Sequence, residues 1–429
     1  MVNHPHTQDL IRAIDEEELC DLAVRLGSIN SPPGSEGHAA DFVYEWLKTQ
    51  GIAARTVELS PERRSVVGRV RGSGGGLHLL FNSHLDTDRR GPLAWWTAGE
   101  SGMEPEVARV VDNKVVGKAI VNDRGPMACW LMAAAALKRS GAPMRGDLVL
   151  TAVCGEIGMA PVDEFQGAGF LGKGIGTRML VDSGVVADFA IVAESTDWAI
   201  SELECGCAYF RILVRGTSVY TPWHERGATI ADHPNAAVKA AALALAVDKW
   251  ARDYERRYTF KFRDSMVIPK ASIGALRSGA PYSPSRTAAN AALYLDVRLV
   301  PGANPLKIQE ELRELATSIS VSAEVEMYLY RRGYEAKDAE PLTESAKAVC
   351  KRILHIEPPP VPSGYISMWR DRNVFSEVGI PAVSFGPPRS GGQDTKGPYG
   401  LYIEKSHLLA AAQIYALLAL DLCNRERPD

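Results

Sequence analysis

Residues 78–86 read His-Leu-Leu-Phe-Asn-Ser-His-Leu-Asp. Consecutive apolar positions from Leu79 to Phe81 suit a strand buried on both faces of a sheet, because a half-exposed strand would alternate. The run passes directly into Asn82, Ser83 and His84, so its polar end falls where the buried strand stops. The same pattern recurs at 147–153, followed by Cys154-Gly155-Glu156, and at 189–193, followed by Glu194. Further strands read at 54–59 and 65–70. Helical spacing covers 11–26, 38–50 after the Ser31-Pro32-Pro33-Gly34-Ser35 breaker, and the Ala-rich 127–139. Strands alternating with helices predict an α/β fold, a mixed sheet with helices on both faces.

The rhythm changes near Cys207. Strand 207–215, helix 233–251, strands 257–264 and 289–298, helix 304–317 and strand 321–330 follow the order β-α-β-β-α-β, the ferredoxin-like arrangement. That unit closes without its flanks and reads as an insertion at 207–331. The first domain then resumes with a helix from Leu342, a Pro-rich turn at 358–362, an apolar strand at 380–386 and a last helix at 406–422. The larger domain is therefore discontinuous, 1–206 and 332–429. A chain of 429 residues is long enough to require two cores.

Composition narrows the function classes. Lys and Arg number 48 against 52 Asp and Glu, a net charge of -4 that offers no case for nucleic acid or an anionic membrane surface. No apolar run approaches the roughly 20 residues of a membrane span. The polar, acidic opening MVNHPHTQDLIRAIDEEE lacks the pattern of a signal peptide. Seven cysteines without a disulfide framework fit a reducing cytoplasm. Cys205 and Cys207 form a C-x-C pair with no second Cys or His cluster beside it, and read as two small strand residues.

Four polar groups fall at or just past the ends of buried segments, where ligands bind in open α/β sheets. His84 precedes Asp86 by two residues, the spacing of an imidazole ligand steered by a carboxylate. Asn122 and Asp123 stand before the Ala-rich helix, as ligands or as its N-cap. Glu156 and Glu194 each follow a run of apolar or small residues, where an unpaired carboxylate is costly. Each alone has a structural explanation. Four in order on one edge of the predicted sheet are hard to explain as solvation alone.

The order of H-x-D, a G-x-x-x-x-(D/N)-x-(K/R)-G block at 117–125, a Glu-bearing strand end and E-S-T at 194–196 resembles the metallopeptidase family of aminoacylases, carboxypeptidase G-type enzymes, acetylornithine deacetylases and succinyl-diaminopimelate desuccinylases. Val214-Arg215-Gly216, Pro234-Asn235-Ala236-Ala237, Asp296-Val297-Arg298 and Val378-Gly379-Ile380-Pro381 leading to Phe385-Gly386-Pro387 extend the resemblance over nearly the whole chain. It implies two zinc-like ions joined by a bridging Asp, a Glu base, and a lid or dimerisation domain matching 207–331. On that template His84 and Glu194 are the private ligands of one ion, Asp86 steers His84, and Glu156 is the base.

The sequence departs from the template in one direction. The bridge falls on Asn122, with Asp123 the reserve ligand if the register moves by one. Ile157 stands where the second ion's Glu belongs, and no His occurs in 391–402; His407, at the start of the last helix, is the remaining candidate. These changes leave His84, Asn122 and Glu194 around one manganese or zinc ion. Sliding Glu156 onto the ligand position would put Gly155 at the base and leave no basic group. The family's lid His, which reaches across the dimer to an amide oxyanion, is replaced by Tyr220, with His224 four residues later. Pro281 takes the place of a lid Asn.

Three functions compete. One is hydrolysis of an N-acyl amino acid or small peptide, with Glu156 taking a proton from the attacking water. The second is hydrolytic deamination of an activated aromatic amine, as in the 5-nitroanthranilate-type aminohydrolases of this family, where charge spreads into the ring and a localised oxyanion donor matters less. The missing second-ion ligands, the missing lid His, and Trp95, Trp96, Tyr220, Trp223 and Trp369 favour this one. The third is a non-catalytic binding protein on the same scaffold, which the retained base and three ligands argue against. All three take a small molecule, and the resemblance implies at least a homodimer.

Overall fold

The structure, a computed structural model, describes residues 5–87, 107–389 and 401–427. Two compact units divide the chain: Met1–Leu203 with Glu335–Val361 and Arg370–Asp429, and Glu204–Tyr334 with Pro362–Trp369.

The first unit is built on a six-stranded mixed sheet. Its order across the sheet is Ala53–Ser60, Arg63–Val70, Leu148–Val153, Leu79–His84, Phe189–Val192 and Ala382–Ser384. The first two junctions are antiparallel and the last three parallel. Every residue of the four parallel strands is buried, which explains their unbroken apolar runs. Side chains divide by alternation: Leu79, Phe81, Leu148 and Leu150 join the larger core, while Leu80 and Val149 join a smaller one with Leu180, Val185 and Phe375 on the other face. Helix Gly125–Ser140 lies in the larger core against Lys405–Leu422. Its Ala133–Ala136 run carries no polar face, as a helix covered on all sides requires.

The second unit has four antiparallel strands in the order Ala271–Ser278, Asn290–Leu299, Gly206–Arg215, Ala323–Arg331. Counted along the chain this is 2-3-1-4, the ferredoxin-like order. Helices Ala236–Tyr258 and Pro305–Ser318 pack on the sheet through Leu243, Val247, Trp250, Ile308 and Leu312 against Phe210, Ile212, Leu293 and Leu295. Both the mixed α/β sheet and this unit match the fold class read from the sequence.

Several boundaries differ. The expected helix at 11–26 is two helices, Thr7–Arg12 and Glu16–Gly27, because the Asp15 carboxylate caps the second by accepting the Glu18 N–H at 2.8 Å. The strand expected at 257–264 overlaps the end of the long helix and the hairpin Phe260–Phe262/Ser265–Val267. The second strand of the sheet is Ala271–Ser278, an edge strand whose exposed face left no apolar pattern to read. Segment 362–369, expected in the larger domain, belongs to the second unit, where the Cys205 N–H donates to the Ile366 carbonyl at 2.9 Å. All seven cysteines are buried and none is disulfide-bonded. Among the described residues, no helix is long and apolar enough to cross a membrane.

Candidate metal and catalytic site

Parallel strands end together, so the residues following them are brought to one edge of the sheet. His84 closes its strand, Glu156 and Glu194 follow two neighbouring strands, and Ile120–Arg124 leads into the buried helix. Ser83 pins the edge: its hydroxyl donates to the Ala193 carbonyl at 2.7 Å and accepts from Trp130 Nε1 at 3.0 Å. Arg124, fully buried, donates to the Leu85 carbonyl and the Ser31 hydroxyl, tying the Asn122 segment to the loop after His84. The Asn122–Asp123 peptide bond is cis.

His84 is 2% exposed. Its Nδ1 lies 2.8 Å from the Asp86 backbone carbonyl and 3.5 Å from the Asp86 carboxylate. A carbonyl only accepts, so Nδ1 carries a proton and the neutral ring presents its lone pair at Nε2. That lone pair faces the Asn122 side-chain oxygen at 3.2 Å. A proton on Nε2 or a metal ion between the two would satisfy both atoms. Two ligands each about 2.1 Å from one ion lie about 3.0–3.4 Å apart in octahedral to tetrahedral geometry, so the pair fits a shared metal. Without one, burial opposes a charged ring, but Asp86, backed by Asp123 and Glu156, holds the imidazole pKa well above its usual value.

Asp86 has a second task. Its two oxygens accept the N–H groups of Glu156 at 3.1 Å and Ile157 at 2.6 Å. Burial would push this carboxyl up, yet the imidazole and the two amides keep its pKa below the ordinary value. One carboxylate thus fixes both the imidazole and the backbone that carries Glu156. The Glu156 carboxyl is 8% exposed, and burial raises its pKa against the pull of Lys173 and His84. A raised carboxyl can exchange protons closer to neutral pH than an exposed one.

Glu194, 8% exposed, accepts a hydrogen bond at Oε2 from Nε of Arg370, itself 2% exposed. Asp123 is fully buried. Its Oδ2 accepts the His84 N–H at 3.4 Å, while Oδ1 has no hydrogen-bond partner, and burial drives its pKa well up. Asp371 is held by the Thr177 hydroxyl at 2.7 Å, and its pKa is pushed well up, first by burial and then by Glu156. Among the described residues no three His, Cys, Asp or Glu side chains converge into a metal cluster. Of the donors named above, only the His84 ring and the Asn122 amide oxygen are in direct contact, at 3.2 Å.

Ile157, partly buried, offers no ligand at its position. His407 opens helix Lys405–Leu422 with its ring edge-on to Trp198 at 6.1 Å. Tyr220 and His224 lie in the second unit. Tyr220 is 42% exposed and stands edge-on to Trp223, so its ring is not packed inside that unit, and the His224 ring meets His233 at 5.5 Å. Trp369 is buried within the same unit. Trp95 and Trp96 lie outside the described residues, as do residues 391–400 of the His-free stretch. Sequence reasoning passed over Arg370, Asp371 and Lys173. The signal for the first two was present: Arg370-Asp371-Arg372 places three charges between Trp369 and Val374, at the start of helix Arg372–Glu377.

The model of peptidase family M20/M25/M40 matches residues 80–421. A curated relative, the N-formyl-4-amino-5-aminomethyl-2-methylpyrimidine deformylase of Bacillus subtilis (strain 168), is 27% identical over 192 residues. That match covers 43% of this chain and 40% of the relative, so the chain spans well under half the length of the curated protein it matches. Among solved structures, the dipeptidase Dug1p of Saccharomyces cerevisiae superposes with a TM-score of 0.73 at 13% identity, over 98% of this chain and 99% of its own. Human carnosine dipeptidase 1 gives 0.71 at 15% identity, over 97% and 99%. At such identities the two structures speak for the fold. The family match spans most of the chain and includes every residue of the site above: this protein belongs to peptidase family M20/M25/M40, a family of metal-dependent hydrolases that act on C–N bonds.

Proposed function

We propose that this chain removes the amino group of an electron-poor aromatic carboxylate by hydrolysis, using Glu156 as base and one divalent ion, manganese or zinc, held by His84, Asn122 and Glu194. The observation that carries the reading is the double role of Asp86, which fixes His84 and the backbone of Glu156 together. A bound ion would supply positive charge at the point of attack. Glu156 accepts the proton of the attacking water as its oxygen bonds to the ring carbon. The same carboxyl returns the proton to the leaving nitrogen, the C–N bond breaks, and ammonia departs. The negative charge that accumulates on the ring passes into its electron-withdrawing substituent, so a dedicated oxyanion donor is less needed than for an amide.

A second reading, hydrolysis of an N-acyl group, is supported by the Bacillus subtilis relative, whose name specifies a formamide on an aminopyrimidine. The two differ in product. Incubation with nitro-substituted 2-aminobenzoates and, separately, with N-formyl and N-acyl amines, in added manganese or zinc, should release ammonia only from the former. Acid release from the latter, with no ammonia from any aminobenzoate, would replace the first reading by the second. No metal-dependent turnover of either class would favour a binding protein.

The ligand set also predicts stoichiometry. Elemental analysis of metal-loaded protein should find about one divalent ion per chain, removed by dialysis against a chelator because one ligand is a neutral amide. Two tightly held ions would contradict it.

The proposal includes a homodimer formed through the second unit. Its sheet ends in the edge strands Ala271–Ser278 and Ala323–Arg331, and edges with unpaired backbone groups favour pairing with another copy. Light scattering should return at least twice the chain mass of 46.5 kDa. A monomer at micromolar concentration would contradict this.

A further inference from the structure

We infer that Arg370 is a positioning residue that acts as a fixed cation beside the proposed metal site, engaging one oxygen of Glu194 and lowering by charge the affinity for metal. The inference rests on the proposed ligand set and goes beyond it by assigning a residue outside that set. Arg370 Nε donates to Oε2 of Glu194, and both side chains are withdrawn from solvent, at 2% and 11% exposure. One carboxylate oxygen is thereby committed to a guanidinium, and the other remains to meet a cation. A guanidinium stays charged even when buried, unlike an amine, so this positive charge is permanent.

The charge arithmetic supports the assignment. His84 as a neutral imidazole and Asn122 as an amide bring no charge, and Glu194 brings one negative charge that Arg370 offsets. Asp86, Asp123, Glu156 and Asp371 stand around the same edge, so the guanidinium lowers the negative charge next to the proposed ligands without cancelling that of the pocket. The same three features, an amide at the bridge, Ile157 at a ligand position and a guanidinium on Glu194, all lower the negative charge available to metal. An ordinary structural ion pair would explain the contact but would make a different forecast: removing Arg370 would then loosen Glu194 and weaken metal binding.

Manganese dissociation constants, measured by competition with a chromogenic chelator on the full chain, separate the two. Arg370→Gln removes the charge yet can still donate a hydrogen bond, and should bind manganese on the order of tenfold or more tightly than the parent. Arg370→Lys, an amine that keeps its charge here only while it pairs with Glu194, should fall between the parent and the neutral variants. Arg370→Met, neutral and apolar, should move in the same direction as Gln and serves if the Gln variant does not fold. Glu194→Gln is the control and should lose most manganese affinity. Unchanged or weaker binding in the neutral variants, with the Glu194 control impaired, would overturn the role of Arg370 alone. Parent-like binding in Glu194→Gln would overturn the ligand set and the inference with it.

Discussion

Glu156→Gln is expected to fold as the parent does and to lose roughly 10²–10⁴-fold in turnover, the usual contribution of a positioned base. The substitution keeps the volume and one oxygen acceptor while removing the basic oxygen. Its backbone N–H still reaches Asp86 at 3.1 Å, so the loop and the imidazole should hold their places. Metal binding should be little changed, because Glu156 lies outside the ligand set proposed above. The loss corresponds to about 3–5 kcal/mol of transition-state stabilisation. Burial that raises the Glu156 carboxyl matters in the same way, since a base of higher pKa accepts a proton more readily. The measurement is steady-state turnover with thermal melting as a folding control. A variant that melts normally and turns over near the parent rate would move the base to Asp123.

The edge of the sheet was legible because buried parallel strands leave a strong mark. Strands Leu79–His84, Leu148–Val153 and Phe189–Val192 end at or shortly before His84, Glu156 and Glu194, and parallel pairing brings those ends together. The ferredoxin-like unit was legible through its order of elements, although its second strand was not. Ala271–Ser278 is an edge strand with most side chains in solvent, so alternation had little burial to report. The split at Ala13–Asp15 was hidden because the apolar spacing continues across it while the Asp15 cap resets the helix. Arg370 was missed for a different reason. Its partner Glu194 is 176 positions away in the chain, so the Arg370-Asp371-Arg372 run marks a concentration of charge without showing which group it meets.

A buried ion pair remote in sequence should matter as much to stability as Glu156 does to rate. Arg63 and Glu36 are both fully buried and make a two-pronged pair, Nε to Oε2 at 2.9 Å and NH2 to Oε1 at 2.6 Å. The third nitrogen of Arg63 donates to the carbonyls of Ala168 at 2.6 Å and Leu171 at 2.7 Å. The guanidinium thus joins the start of helix Gly37–Thr49 to the loop that leads to Lys173. It also lies under Gly155, whose φ is +70° and where an added Cβ would stand 2.7 Å from Arg63 NH2. Arg63→Met leaves the Glu36 carboxylate buried without its counter-ion and frees two partly buried carbonyls. A loss of about 3–5 kcal/mol is expected, as for other broken buried pairs. Removing both charges, with Glu36→Leu and Arg63→Met, should cost less than the sum of the single changes, since no lone buried charge remains. Turnover of Arg63→Met should fall as well, because the contacts that hold 168–171 beneath the Glu156 loop are gone. Denaturant unfolding measures the stability change. A Met variant that unfolds at the parental midpoint would mean that Glu36 finds another partner and that the pair does not brace the loop.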